Sequence, residues 1–297
     1  MQDSQCIELF EKHLREEKKA SPNTVSSYLR DIHQLSEFLT ANTSHCLITA
    51  KDEDLQSYIS VLRDSGLSVS TVSRSIASIK CLYMHLCIRQ HIKTNPSLRL
   101  TPEKQERKLP DILTHDEVEL LLSQPEAIDA KGYRDKALLE LLYATGIRVS
   151  ELIDLNIEDI DLAAHTLQCS SGSKTRLIPV YEKAITALDE YIRLVRPQMI
   201  AAEDEKALFV NVSGERMSRQ GLWKIIKSYS AKAGIDKDIT PHTLRHSFAA
   251  HMIENGADVR SMQEILGHSD LSSTHSYSGL IKSSLMDSYN KAHPHAH

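Results

Sequence analysis

The stretch TPHTLRHSFAAHMIENGADVRSMQEILGHSDLSSTHSY, residues 240–277, decides how the rest of the chain is read. Thr240 before Pro241 reads as a helix cap and first helical residue, because proline is tolerated where its missing N–H has no intrahelical partner to lose. His242, Arg245 and His246 follow at i, i+3 and i+4 and share one face of the first turns. That face stands at the positive end of a helix, and a guanidinium there suits a phosphate better than a lone amine does. Asn255-Gly256 reads as a helix stop. Asp258 is placed to cap a second helix that closes at Leu266-Gly267, with His268 next. Tyr277 comes nine residues later, on a short third helix. Two imidazoles, an arginine and a tyrosine delivered by helix ends point to a phosphoryl-transfer site.

Working outward, the composition sets bounds. The chain has 297 residues, enough for one large domain or two ordinary ones, with 41% hydrophobic and 25% charged residues. That balance is ordinary for a globular protein. No apolar run reaches the ~18 residues of a membrane span, so no membrane insertion is expected, and MQDSQCIELFEKHL lacks a signal-peptide pattern. The five cysteines, Cys6, Cys46, Cys81, Cys87 and Cys169, have no metal spacing and read as buried thiols in a reducing cytoplasm. The net charge of −5 removes any argument for nucleic-acid binding from overall charge, although cations gathered on one surface remain compatible with it.

Along the chain, apolar spacing predicts helices over 6–17, from Ser21-Pro22 through Leu39, over 51–64, and from Ser70 through Leu86. The last also shows Ser73, Arg74, Ser78 and Lys80 on its other side, either a phosphate-facing surface or a solvated one. These helices form a bundle over 1–96, and 97–112 reads as an exposed basic linker. Residues 113–297 form the second domain, opened by a capping box of Thr114 and Glu117. A buried helix at 132–143 breaks at Thr145-Gly146 and puts Arg148 at the next helix start, with Glu151 placed to hold it bidentately. Alone, such a pair is equally at home as a structural contact. Residues 165–180 read as a β-hairpin. Residues 216–235 read as a helix with Arg216, Arg219, Lys224 and Lys227 outward and Trp223 packed, the best candidate to lie on a major groove. His246 reads as a packed histidine or as one that supports a neighbouring site residue. The spacing of His242 and His246 resembles a zinc helix, but the glutamate of that motif is missing and Arg245 repels a cation, so no metal is expected. His293, His295 and His297 read as a solvated end.

HTLRHSFA, LGHSDLSST and the following tyrosine, with ATGIRVSEL at 144–152, resemble the tyrosine recombinase (phage integrase) family, within it the Xer recombinases of the XerD type. The resemblance spans essentially the whole chain. It implies a mainly α fold with a small β-hairpin (α+β), arranged as a two-domain C-shaped clamp of helical bundle and catalytic domain, with a C-terminal tail that docks on a neighbouring subunit. It also implies strand exchange between two short DNA sites, with no cofactor. Tyr277 is then the nucleophile, Arg148 and Arg245 bind the phosphate, and His242 and His268 hydrogen-bond it and help take the tyrosyl proton. The family's hairpin pattern, Gly-Lys-Gly-x-Lys-x-Arg, is here Ser-Ser-Gly-Ser-Lys-Thr-Arg: Ser171 stands at the usual catalytic lysine, and the general acid is carried to Lys174.

The implied partners are a double-stranded recombination site, a partner recombinase in a hetero- or homotetramer, and a septal DNA translocase. A chain that starts directly with the bundle favours chromosome or plasmid dimer resolution in the cytoplasm. A mobile-element integrase is the alternative, and a non-cleaving DNA-binding protein on the same scaffold the other.

Overall fold

The computed structural model describes residues 2–102, 111–171, 174–267 and 289–296, with Ser171, Lys174, Val259 and Arg260 described by their backbone alone. They divide between two compact units, Met1–Lys108 and Leu109–His297.

The first unit is a helical bundle. Helix α1 (Asp3–Lys12) runs on through Glu17 in a turn widened to i→i+5 bonding, where Lys18 N–H donates to His13 O at 3.0 Å. Helix α2 (Pro22–Asn42) begins on Ser21, whose Oγ accepts from Thr24 N–H at 3.2 Å, and α3 (Asp52–Asp64) follows. Helix α4 (Val69–Ile88) is capped by Ser68 and starts one residue before the expected Ser70. Phe10, Leu14, Ile32, Leu35, Ile79 and Tyr83 meet in one core. The polar side of α4 is partly turned inward, with Ser73 and Lys80 half-buried. Ser78 is buried, and Arg74 closes a fork on the buried Asp31 of α2, with bonds of 3.1 and 2.8 Å. A buried carboxylate needs its charge answered, and these are the groups within reach.

In the second unit, α5 (His115–Leu122) starts on the Thr114–Glu117 box, and α6 (Ala130–Thr145) is nearly encircled by core. Gly146 ends α6 with φ +56°, a left-handed conformation that glycine adopts without penalty. A Cβ there would stand 2.3 Å from Phe248 Cδ1, so the chain can turn toward Arg148 only with glycine at this position. After α7 (Val149–Asp154) come three antiparallel strands in the order β1 (Ile160–Asp161), β2 (Thr166–Ser171) and β3 (Lys174–Pro179). The register sets Leu167 against Ile178, Cys169 against Arg176 and Ser171 against Lys174. Helices α8 (Glu182–Glu190), α9 (Arg196–Met199), α10 (Arg219–Lys232), α11 (Pro241–Glu254) and α12 (Val259–Leu266) follow.

Helix α11 is gripped along its length. Ser247 Oγ accepts from Leu113 N–H at 2.8 Å, and His251 binds Leu113 O and Tyr143 Oη, each at 2.9 Å. Those contacts fix the helix whose first turns carry His242 and Arg245.

Candidate active site

Thr240 caps α11 as its sequence predicts, with Oγ1 accepting from Thr243 N–H at 3.2 Å and Pro241 in the first turn. From that start the helix turns Arg245 inward and leaves His242 exposed. Arg245 is only 9% exposed. Its Nη1 donates to Gly146 O, in the turn before Arg148, and its Nη2 donates to Leu266 O at 2.8 Å. Arg148 Nη2 donates to the next carbonyl, Gly267 O, at 3.1 Å. Two guanidiniums from distant parts of the chain therefore meet consecutive carbonyls at the end of α12, whose unsatisfied oxygens and negative dipole end attract cations. Burial, and then the nearby charge of Arg148, lower the Arg245 pKa to about 10, so it stays protonated near neutral pH.

Glu151 binds the cluster together. It accepts from Arg148 N–H at 2.8 Å and from Arg148 Nη1 at 3.1 Å. The bidentate pair expected between Arg148 and Glu151 is instead made by Arg176 of β3, at 3.0 and 2.9 Å. Burial pushes the Glu151 carboxyl up, but the Arg176 bond, the Arg148 N–H and both positive charges outweigh it and hold it below the usual range. Arg176 also donates to Ile265 O at 2.8 Å. A signal for Arg176 lay in the strand alternation, since it shares the parity of Ile178, which packs inward.

Residues 111–283 match the Phage integrase family, and residues 7–90 match the Phage integrase, N-terminal SAM-like domain. The chain belongs to the phage integrase family of tyrosine recombinases. It is 45% identical over 297 residues to a tyrosine recombinase XerD of Oceanobacillus iheyensis, covering 98% of this chain and 99% of the relative. A tyrosine recombinase XerD of Staphylococcus epidermidis is 40% identical over 291 residues at the same coverage of each. A crystal structure of a XerH site-specific recombinase bound to a palindromic difH substrate, a post-cleavage complex, superposes with a TM-score of 0.72 over 97% of this chain and 80% of that one. At 22% identity that likeness concerns the fold. The chain is thus a tyrosine recombinase of the XerD type, an enzyme of site-specific DNA strand exchange.

Of the recombinase's expected site residues, Arg148 and Arg245 come together, and His242 lies one turn before Arg245 on the same helix. Lys174 opens β3 opposite Ser171. His268 and Tyr277 lie outside the described residues. Other expectations need correction. His246 is exposed rather than packed, and Trp223 is 49% exposed with Lys227 Nζ 5.4 Å from its ring centroid. Arg216 is not outward: it caps the end of α7 through Ile153 O, Leu155 O and Asn156 Oδ1 at 2.6 to 3.0 Å. His293 and His295 are not solvated, and His297 lies outside the described residues. His293 is fully buried among the rings of Tyr143, Tyr181, Tyr289 and Phe248, and His295 Nε2 meets Glu119 Oε1 at 2.5 Å.

Among the described residues two groups gather metal-ligating atoms, His13/Glu17/His85 and His115/His251/Glu254. Each contains a stacked imidazole pair, with centroids 4.0 and 3.9 Å apart, and stacked rings do not turn their lone pairs toward one ion. Glu17 is already held by Arg89, and both nitrogens of His251 are engaged. No helix among the described residues is long and apolar enough to cross a membrane.

Proposed function

We propose that this recombinase cuts and rejoins double-stranded DNA at a specific site through a 3′-phosphotyrosyl intermediate. The observation that carries the reading is the meeting of Arg148 and Arg245 on consecutive carbonyls immediately before His268. Two forked donors there suit the non-bridging oxygens of a phosphodiester, whose charge grows in the transition state. The Tyr277 oxygen attacks phosphorus and loses its proton, helped by His242 and His268. The 5′ oxygen leaves with a proton from Lys174. The new ester keeps the bond energy, so the 5′-OH of a second strand displaces tyrosine and reseals the DNA without ATP. Exposed Arg219 and Lys224 on α10, with half-exposed Trp223, support laying that helix on the duplex.

By the same reading the recombinase works with a second recombinase in a tetramer on two sites, resolves chromosome or plasmid dimers in the cytoplasm, and answers to a septal DNA translocase. Its relatives' XerD names support this assignment over a mobile-element integrase. The test is a nicked suicide substrate carrying the recombination site. Wild type should form a covalent adduct that maps to Tyr277 and is absent in Tyr277→Phe, and Lys174→Ala should cleave about 10²–10⁴-fold more slowly. An adduct in Tyr277→Phe places the nucleophile elsewhere, and normal cleavage by Lys174→Ala removes the acid assignment.

A further inference from the structure

Arg176 takes no part in the chemistry proposed above, yet its setting is unusual. It stands opposite Cys169 on the strand face that also carries Leu167 and Ile178, all three of which are buried. Alternation places an apolar residue at such a position. A guanidinium there, 15% exposed, must have its donors answered. Nη1 and Nη2 take the two oxygens of Glu151, and Nε takes Ile265 O. Arg148 is left with a single side-chain bond to the same carboxylate.

We propose that Arg176 is a positioning residue for strand cleavage: by occupying both oxygens of Glu151 it prevents Arg148 from closing a bidentate pair with that carboxylate, and so leaves Arg148 donors for the scissile phosphate. The proposal rests on the reading of Arg148 as a phosphate-binding group. Its physical basis is competition for one buried charge. Glu151 is 6% exposed, and Arg148 and Arg176 are the cations bonded to it among the described residues. Without Arg176, the carboxylate recruits the cation that remains, because a buried charge without a partner is strongly unfavourable. Arg148 then swings its fork onto Glu151, the i,i+3 arrangement that the local sequence favours. Charge balance leads the same way. Three guanidiniums against one carboxylate leave two positive charges for a phosphate whose negative charge grows during the reaction. Removing Arg176 leaves one, on Arg245.

The second contact of Arg176 steadies the acceptor side. With Ile265 O held by Arg176, Leu266 O by Arg245 and Gly267 O by Arg148, three successive carbonyls are each tied to a different element. Gly267 has φ +64°, and a Cβ there would meet Arg176 Nη1 at 2.9 Å, so glycine at this position leaves the space that the Arg176 guanidinium occupies.

The test uses the full chain and the suicide substrate, with single-turnover cleavage and DNA affinity measured separately for wild type, Arg176→Gln, Arg176→Ala, Glu151→Gln and the double variant Arg176→Ala/Glu151→Gln, each checked by thermal melting. Arg176→Ala should cleave on the order of 10²–10³-fold more slowly, with affinity within a few-fold of wild type. The double variant should recover at least tenfold over Arg176→Ala, because a neutral amide cannot hold the Arg148 fork. A purely structural role predicts the reverse, with the double variant no faster than the single. That result, or wild-type cleavage by a folded Arg176→Gln or Arg176→Ala, overturns the proposal. An adduct that persists in Tyr277→Phe overturns only the nucleophile assignment, since the rank of the Arg176 variants is then read on that adduct. Absence of any wild-type adduct overturns both.

Discussion

Arg245 carries its positive charge almost out of water, with Arg148 beside it, and the drop in its pKa to about 10 reports how unwelcome that charge is in the free protein. A base whose folded pKa is lowered loses stability as its charge is taken up, and that loss is complete below the folded value, so at neutral pH the buried charge of Arg245 is costly while it favours an anion. Arg245→Met relieves that cost but leaves Gly146 O and Leu266 O without their donor, so it should abolish cleavage, read as loss of the covalent adduct, with the two effects on melting temperature opposing one another. Arg245→Lys keeps a charge but loses the fork, and should slow single-turnover cleavage at least about 10²-fold. Gly267→Ala meets both a left-handed φ and the Arg176 guanidinium. It should cost roughly 1 kcal/mol or more in denaturant melts, and it should also slow cleavage, because the residue displaced is Arg176.

At the scale of elements, local chemistry made the helix starts legible: Ser21-Pro22, Thr114 with Glu117 and Thr240-Pro241 all cap as their residues suggest. Gly146 and Gly267 stop their helices for equally local reasons. Contacts made across long sequence separations were not legible. Nothing near Asp31 announces that Arg74 will close on it, and nothing in AHPHAH announces the aromatic pocket around His293. The docked turn at 289–296 holds Tyr289 Oη on Ala144 O at 2.8 Å and accepts from Asn255 at Ala292 O. Burial drives the His293 pKa down to about 3, so this docking is complete above the ordinary imidazole value and weakens as pH falls toward 3. Between pH 7.5 and 5.5 the segment should become roughly tenfold easier to release, read as cleavage by a carboxypeptidase or as hydrogen exchange at 289–296. His293→Phe should flatten that dependence. An unchanged pH profile in the variant would show that His293 is not the titrating group.

For the molecule as a whole, the net charge of −5 and the proposed grip on DNA are reconciled if cations are concentrated where the duplex lies. Affinity for the recombination site should then fall steeply between about 50 and 200 mM salt, and a flat salt response would argue against phosphate contacts. The division into two compact units makes a second expectation. Asp31→Ala takes a partner from Arg74 and Ser78 and should cost roughly 1–3 kcal/mol in the first unit alone, shifting one of two calorimetric transitions. The acceptors at 146, 265, 266 and 267 have a broader meaning for how this protein tolerates change. They are peptide oxygens, present whatever side chain evolution installs, so the site registers spacing rather than identity. Exchanging one apolar residue for another near the end of α12 leaves every acceptor there in place, whereas deleting a single residue inside that helix rotates its terminus by about 100° and removes from all three arginines their bond to it at once.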